Sequence, residues 1–140
     1  MANGKELKNY QNAIEEALIE KYPGFTIKVF KSLQEQDTLP AIIVNKPVLE
    51  PKDPTKQVAS KFRTTAQLNA FVVYSAADED NEIECLQQSA NLAKFIDKNL
   101  FGERIPAAVS LVEPVLEEGL EEYFIQRIDF EQIIEIVSDN

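Results

Sequence analysis

The sequence contains no histidine, which removes the commonest general base and the commonest zinc ligand. Catalysis by a Ser–His–Asp triad or a Cys–His pair is therefore excluded. Cysteine occurs once, so no disulfide can form within the chain, and this agrees with a reducing compartment. Tryptophan is absent as well, and eight phenylalanines and four tyrosines supply the aromatic side chains.

Long apolar runs are also missing. No stretch approaches the ~20 apolar residues that a helix needs to span a bilayer, so we expect no membrane contact. Residues 1–10 are polar, which does not predict a signal peptide. The four glycines are isolated from one another, so no phosphate-binding loop is present and no cofactor is expected.

Basic residues are outnumbered by acidic ones, 14 against 24, which gives a formal net charge of −10. This balance disfavours nucleic-acid binding through a general basic surface. The same charge would let DNA pass nearby without adhering. With 140 residues and 44% hydrophobic content, the chain has the size and composition of one globular domain spanning 1–140.

Two segments have the apolar spacing of amphipathic helices. The first is predicted over residues 5–21 and ends at Pro23-Gly24. The second follows an acidic stretch and is predicted over 83–100, with Gly102 in the position that terminates a helix. The predicted buried residues of the first helix are Leu7, Tyr10, Ile14, Ala17 and Leu18, and those of the second are Ile83, Leu86, Ala90, Ala93, Ile96 and Leu100, widened by Cys85 and Leu92.

Five segments are rich in β-forming residues and predict strands: 25–30, 39–45, 61–76, 107–116 and 123–137. The element order is therefore α-β-β-β-α-β-β. Short connections favour antiparallel pairing, so we predict an α+β fold with a mostly antiparallel sheet and two helices packed on it.

The strand at 61–76 is the predicted centre of this sheet. Alternate residues from Ala66 to Tyr74 share one apolar face. The other face is polar from Arg63 to Asn69 and apolar at Phe71 and Val73. We therefore expect the first half of the strand to be exposed on one side and the second half to be enclosed on both.

The segment 46–60 is predicted to be a projecting loop, because Pro47, Pro51 and Pro54 make a continuous strand pairing improbable. It belongs to the most basic stretch of the chain, since residues 46–63 contain five basic and two acidic side chains. A solvated loop and a contact arm for a partner subunit are equally compatible with this pattern.

Two acidic clusters are candidates for chemistry. Asp78 begins a stretch that could suggest a calcium loop, but the glycine and glutamate that an EF-hand requires are replaced by Ile83 and Ser89. Asp78 or Asp80 is better explained as a helix cap. The second cluster, at a turn around Gly119, could bind a metal or form an acid–base pair, but four carboxylates at a turn are more often a hydrated hairpin; its members are Glu117, Glu118, Glu121 and Glu122.

One succession of segments resembles the tail-terminator and minor-tail proteins of tailed bacteriophages. It consists of LPAIIV, a proline-rich loop, FRTTAQLNAFVVYSA, an acidic cap with its helix, and a final hairpin that ends in IQRIDFEQIIEI. The likeness is greatest to the Mu-like prophage type, and the element order is similar to that of the phage lambda tail terminator.

The resemblance implies a structural protein without catalytic, metal-binding or cofactor-binding residues. Such proteins form a ring, typically a hexamer, that caps the tail tube and offers a docking surface to the head. The implied partners are further copies of the chain, the tail-tube protein and a head-completion or connector protein, with DNA only passing through a lumen. The implied location is the virion tail, assembled in the bacterial host cytoplasm.

Three alternatives remain open: a head–tail connector or adaptor, a non-viral binding module, and a small carboxylate-dependent hydrolase. For subunit contacts we expect a basic set to meet a complementary acidic set, and such steering is salt-sensitive. The basic set is Lys46, Lys52, Lys56, Lys61 and Arg63, and the acidic set is Asp78, Asp80 and Glu82.

Overall fold

The computed structural model describes residues 6–51 and 61–137. Its two helices and six strands are α1 (Glu6–Lys21), β1 (Thr26–Val29), β2 (Ala41–Val44), β3 (Val48–Pro51), β4 (Lys61–Ser75), α2 (Asp80–Ile96), β5 (Ala108–Pro114) and β6 (Tyr123–Val137). No helix among these described residues is long and apolar enough to cross a membrane.

The six strands form one sheet in the order β1-β2-β4-β6-β5, and β3 also pairs with β4. The longest pairing is antiparallel and joins β4 to β6 from Lys61↔Val137 to Ser75↔Tyr123. On its other edge, β4 pairs first with β3 and then with β2, both antiparallel. Among the six described strands, only β1 and β2 pair in parallel.

The predicted α+β fold, with two helices on a mostly antiparallel sheet, is confirmed together with the predicted element order. The structure adds one short strand inside the segment predicted as a projecting loop. Val48–Pro51 forms β3, because Pro47 lies before the strand and Pro51 ends it, so neither proline interrupts its pairing with Thr64–Gln67. Residues 52–60 of the predicted loop lie outside the described part of the chain.

Both helices pack on one face of the sheet, which we call the helix face. Its residues on β4 are the predicted alternate set from Ala66 to Tyr74, and all of them are buried. Ile128, Phe130 and Ile134 of β6 continue the same core. From α1 the buried residues are Tyr10, Ile14 and Leu18, as the helical spacing predicts.

The predicted buried face of α2 is only partly correct. Cys85, Leu92 and Ile96 are buried as predicted, whereas Ile83 is 69% exposed and Leu86 is 50% exposed. Ala90 and Leu100, also predicted to be buried, are exposed as well. The helix is rotated from the predicted stripe, so that its buried residues are Cys85, Ser89, Leu92 and Ile96. Spacings of three and four fit both stripes, and the polar Ser89 hid the true one from sequence reasoning. Its hydroxyl is satisfied internally, because Ser89 Oγ donates to the Cys85 carbonyl oxygen at 2.7 Å.

The ends of α2 also differ from the prediction. The helix ends at Ile96, because Asp97 is extended and Lys98 adopts a positive φ of 69°. Gly102 has a positive φ of 79° but lies in the following turn, so it does not terminate the helix. At the other end Glu79 precedes the helix without a side-chain cap, and Asp78 Oδ1 instead accepts from the Asp80 N–H at 3.0 Å.

A polar cluster ties the core together at Gln132, which the sequence indicates only as an interruption of the apolar face of β6. Gln132 is 1% exposed. Its Oε1 accepts from the Tyr10 hydroxyl at 2.7 Å, which links β6 to α1. Its Nε2 donates to the carbonyl oxygens of Leu100 and Ile105 at 2.7 and 2.8 Å, which fixes the connection after α2.

Replacing Gln132 by leucine should lower the free energy of unfolding by about 2–5 kcal/mol, because the buried Tyr10 hydroxyl and two part-buried carbonyl oxygens lose their partner. Tyr10→Phe should cost about 1–3 kcal/mol, and the two losses should not add, since both variants break one shared bond. Chemical denaturation of the single and double variants measures this, with the exposed Gln36→Leu as control. Additive losses would show that the two side chains are not coupled.

Two truncations on α2 should differ sharply. Ile96→Ala should cost about 2–5 kcal/mol of unfolding free energy, because it leaves a cavity in the core. Leu86→Ala should cost less than about 1 kcal/mol, since half of that side chain already contacts water. Denaturation curves of the two variants under identical conditions test the rotation of α2, and equal losses would contradict it.

Candidate functional site

The sheet face opposite the helices, which we call the outer face, carries an apolar groove at the end of β4. Within the described residues no helix packs on this face. The groove has a volume of about 370 Å³. We call it the outer groove, and its lining residues are Leu33, Ile43, Phe71, Val73, Val115, Glu117, Leu120, Tyr123 and Ile125.

The floor of the outer groove follows from strand register. Ile43 of β2 lies opposite Phe71 of β4, and Val73 of β4 lies opposite Ile125 of β6. Because side chains alternate along a strand, these four residues point to the same face across three neighbouring strands. The second half of β4 was predicted to be enclosed on both faces, but within the described residues no second layer covers its outer face. Val73 is buried, and Phe71 remains partly open to solvent.

The walls of the outer groove come from irregular segments. Leu33 lies in the connection between the parallel strands β1 and β2. Val115 and Leu120 lie in the connection from β5 to β6. The sequence did not identify these residues, because a connecting segment has no periodicity that marks an inward side chain. The available signal was the apolar pair Phe71 and Val73 on the otherwise polar face of β4.

The rim of the outer groove is acidic. Glu117 lines it, and Glu118, Glu121 and Glu122 lie exposed in the same turn. The turn closes at Gly119, whose φ is 89° and whose N–H donates to the Glu121 carboxylate at 2.6 Å. From residue 115 to residue 126 the chain has no lysine or arginine. The rim therefore presents a negative potential beside an apolar floor.

Beside the groove the outer face carries a cluster of polar side chains that pair with one another. Arg127 Nη2 donates to Glu113 Oε2 at 2.7 Å, and Arg127 Nε lies 3.1 Å from Asp129 Oδ1. Asn69 donates from its amide to the same Asp129 oxygen. These bonds lie next to Phe71 in the register, so they mark the boundary of the apolar floor.

The basic set predicted for subunit contacts is only partly described. Lys46 is exposed between β2 and β3, and Lys61 begins β4. Lys52 and Lys56 lie outside the described residues. Arg63 is engaged within the chain, since its Nε donates to Glu135 Oε2 of the paired strand at 2.9 Å.

The acidic set, Asp78, Asp80 and Glu82, is exposed around the start of α2. Arg63 and Ser75 lie at opposite ends of β4, about 40 Å apart at the usual rise of a strand, and Asp78 follows Ser75. The structure therefore does not bring Arg63 and the acidic set together within one chain. A contact between them requires a second copy, and it stays a prediction.

Other titratable groups show no arrangement for metal binding. Among the described residues no group of three or more acidic or cysteine side chains could hold a metal ion. Cys85 is buried, and its thiol donates to the carbonyl oxygens of Val72 and Phe124 at 3.4 and 3.5 Å. Burial raises the pKa of Cys85 to about 11, and that of Tyr74 to about 12.

A second cleft, of about 720 Å³, lies between the end of α1 and α2. Its aromatic residues already pack on one another: the Tyr22 ring meets Phe25 edge to face at 5.4 Å and Phe95 at 6.2 Å. Lys21 Nζ lies 5.8 Å from the centre of the Phe95 ring. These aromatic rings therefore cover one end of the core beside the cleft.

Comparison with known proteins gives the fold alone. No family model matches the sequence, and no curated protein matches it. One similar solved structure has a TM-score of 0.50 and 14% sequence identity, and the match covers 95% of this chain and 93% of that one. The name of that protein states no function, so the likeness extends to the arrangement of helices and strands.

The buried thiol gives a test of this geometry. Raising the pKa of Cys85 from 9.0 to about 11 lowers the thiolate fraction near neutral pH about a hundredfold. A thiol reagent at about pH 8 should therefore label the native chain at least a hundredfold more slowly than the chain unfolded in denaturant. Because the folded state holds this proton more tightly, stability should also fall as the pH rises from 9.0 toward about 11. Equal labelling rates would contradict the burial of this thiol.

Proposed function

We propose that this protein is a structural subunit of a bacteriophage tail, a tail terminator or tail-completion protein that acts by binding copies of itself. The observation that supports this most directly is the outer groove. It is an apolar surface spread over three strands, open to solvent and bordered by charged residues. A second copy could pack its own apolar side chains into this groove and remove further apolar surface from water.

The margins of the sheet add further contact surface. β1 and β5 are the outermost strands of the described sheet. β5 carries the partly exposed Leu111 and Val112, and the strand is irregular between Val109 and Leu111. Outermost strands can pair with a neighbouring chain, while a bulge and a proline such as Pro114 limit uncontrolled pairing.

The resemblance in the sequence supplies the type of assembly. In it, copies of the chain form a ring, typically a hexamer, that caps the tail tube and meets a head-completion or connector protein. DNA passes through the lumen of such a ring, and a net charge of −10 disfavours adhesion of the DNA to the subunits. The proposed location is accordingly the virion tail.

Binding explains the acidic turn better than hydrolysis does. The Glu121 carboxylate accepts from the backbone of its own turn at Gly119, and this bond stabilises the turn that carries the groove wall. The neighbouring Glu122 side chain is exposed. A carboxylate-dependent hydrolase would instead require a pair of carboxylates converging on a substrate pocket.

The proposal predicts ring-shaped particles. Sedimentation velocity and negative-stain microscopy of the full chain should show an oligomer at high concentration, alone or with tail-tube protein. Added to polymerising tail-tube protein, it should cap the tubes and shorten them. A chain that stays monomeric under both conditions would contradict the proposal. Binding to a head connector without binding to tail tubes would instead favour the connector function.

A further inference from the structure

We propose that the cleft between the end of α1 and α2 binds a small organic anion, a carboxylate or phosphate group carried on a flat apolar body. The cleft is separate from the outer groove, so the inference does not rest on the proposed self-association. Three features of the described residues support it: a concave space with aromatic walls, a positive local charge, and a buried hydroxyl that lacks a hydrogen-bond partner among them.

The space has the size and walls of a small-molecule site. Its volume is about 720 Å³, and ligand clefts commonly measure about 300–1,000 Å³. Phe25 and Phe95 line it and are only partly buried, so ring surface remains open to a ligand. The space beside Gly24 is also open, since a Cβ added there would meet no atom within 4 Å. A flat apolar group can therefore pack against the two rings.

The charged side chains that line the cleft are both basic. Lys21 Nζ lies 5.8 Å from the centre of the Phe95 ring, and Lys94 precedes Phe95 on α2. Within the described part of the chain neither lysine forms an ion pair, and no carboxylate belongs to the lining. Acidic residues outnumber basic ones 24 to 14 in the whole chain. The cleft is therefore a positive site on an acidic protein, and it favours an anion.

An amide side chain of α2 adds a neutral donor beside the lysines. Asn91 Oδ1 accepts from Gln87 Nε2 at 3.1 Å, so the Nδ2 group of Asn91 is the one left to donate to a ligand. The nearby Gln88 Nε2 donates to Glu84 Oε1 at 3.0 Å, and Glu84 itself does not line the cleft. Asn91 and Lys94 are three residues apart on the helix, so both can donate to one anionic group.

Tyr22 supplies the independent observation that indicates a ligand. Its side chain lines the cleft and is 6% exposed, and its hydroxyl has no hydrogen-bond partner among the described residues. A buried hydroxyl without a partner is unfavourable, so it calls for an acceptor. Burial raises the pKa of Tyr22, so the hydroxyl keeps its proton and stays a donor. An oxygen of a bound anion can supply the acceptor that the protein does not.

Four small probes test the selectivity of the cleft. In an NMR titration of the full chain, phenyl phosphate and benzoate should shift the resonances of the lining residues. Inorganic phosphate lacks the ring and benzylamine carries the opposite charge, so both should bind at least about tenfold more weakly than the better of the two anions. The net charge of −10 attracts cations, so a preference for the anions has to come from the cleft itself. Tighter binding of benzylamine, or no shift in the lining with any probe, would overturn the proposal.

Lysine variants locate the charge that the anion recognises. Lys21→Gln and Lys94→Gln should each weaken the tighter-binding anion at least about fivefold, because each removes a charged donor. Lys8→Gln removes the same charge from an exposed position of α1 outside the cleft, and it should leave the affinity within about twofold of the native value. Equal losses in all three variants would show a non-specific attraction and contradict the site.

Tyr22→Phe separates a binding role from a structural one. The variant keeps the ring that packs edge to face on Phe25 and Phe95, and it removes only the hydroxyl. The denaturation midpoint of the free chain should stay unchanged or rise, because no bond is lost, whereas the affinity for the anion should fall at least about fivefold. A lower midpoint together with an unchanged affinity would overturn the assignment of this hydroxyl to a ligand.

The outcome of these titrations is separate from that of the assembly experiments. If the native chain forms rings and binds none of the four probes, this inference fails and the proposed function stands. If it binds the anions at the cleft and never associates, the inference stands and the proposed function fails.

Discussion

The antiparallel pairing of β4 with β6 is the constraint on which the rest of the structure depends. It runs the full length of both strands, from Lys61↔Val137 to Ser75↔Tyr123. The register determines which residues of both strands contact the helices and which form the outer face. A slip by one residue would move the whole apolar set of a strand to the wrong face, so the core and the outer groove depend on the same alignment.

Strand periodicity explains why so much of this sheet could be predicted. The alternate residues of β4 and the bounds of β6 follow from a period of two, which leaves little ambiguity in a long strand. The buried face of helix α2 was harder to predict, because Leu86 and Leu92 belong to different stripes that both satisfy helical spacing. The groove walls at Leu33 and Leu120 could not be predicted, since irregular segments are positioned by tertiary packing and have no repeating pattern.

The predicted contact residues are charged, whereas the groove that the structure describes is mainly apolar. Sequence reasoning relied on charged residues, because net charge is easily counted along a chain. The structure shows that Arg63 is paired with Glu135 across the sheet, so part of the basic set stabilises its own subunit. The apolar pair Phe71 and Val73 was recognised but assigned to the core. Because no second layer covers the outer face within the described residues, Phe71 and Val73 form the floor of the outer groove.

The burial of Cys85 has a practical consequence for measuring distances in an assembly. It is the chain's only cysteine, and it lies in the core between α2 and the sheet. A cysteine introduced at one surface position would therefore be the single accessible attachment point for a spin label. Dipolar coupling between such labels on neighbouring copies would then report one inter-subunit spacing per position, without first removing the native residue.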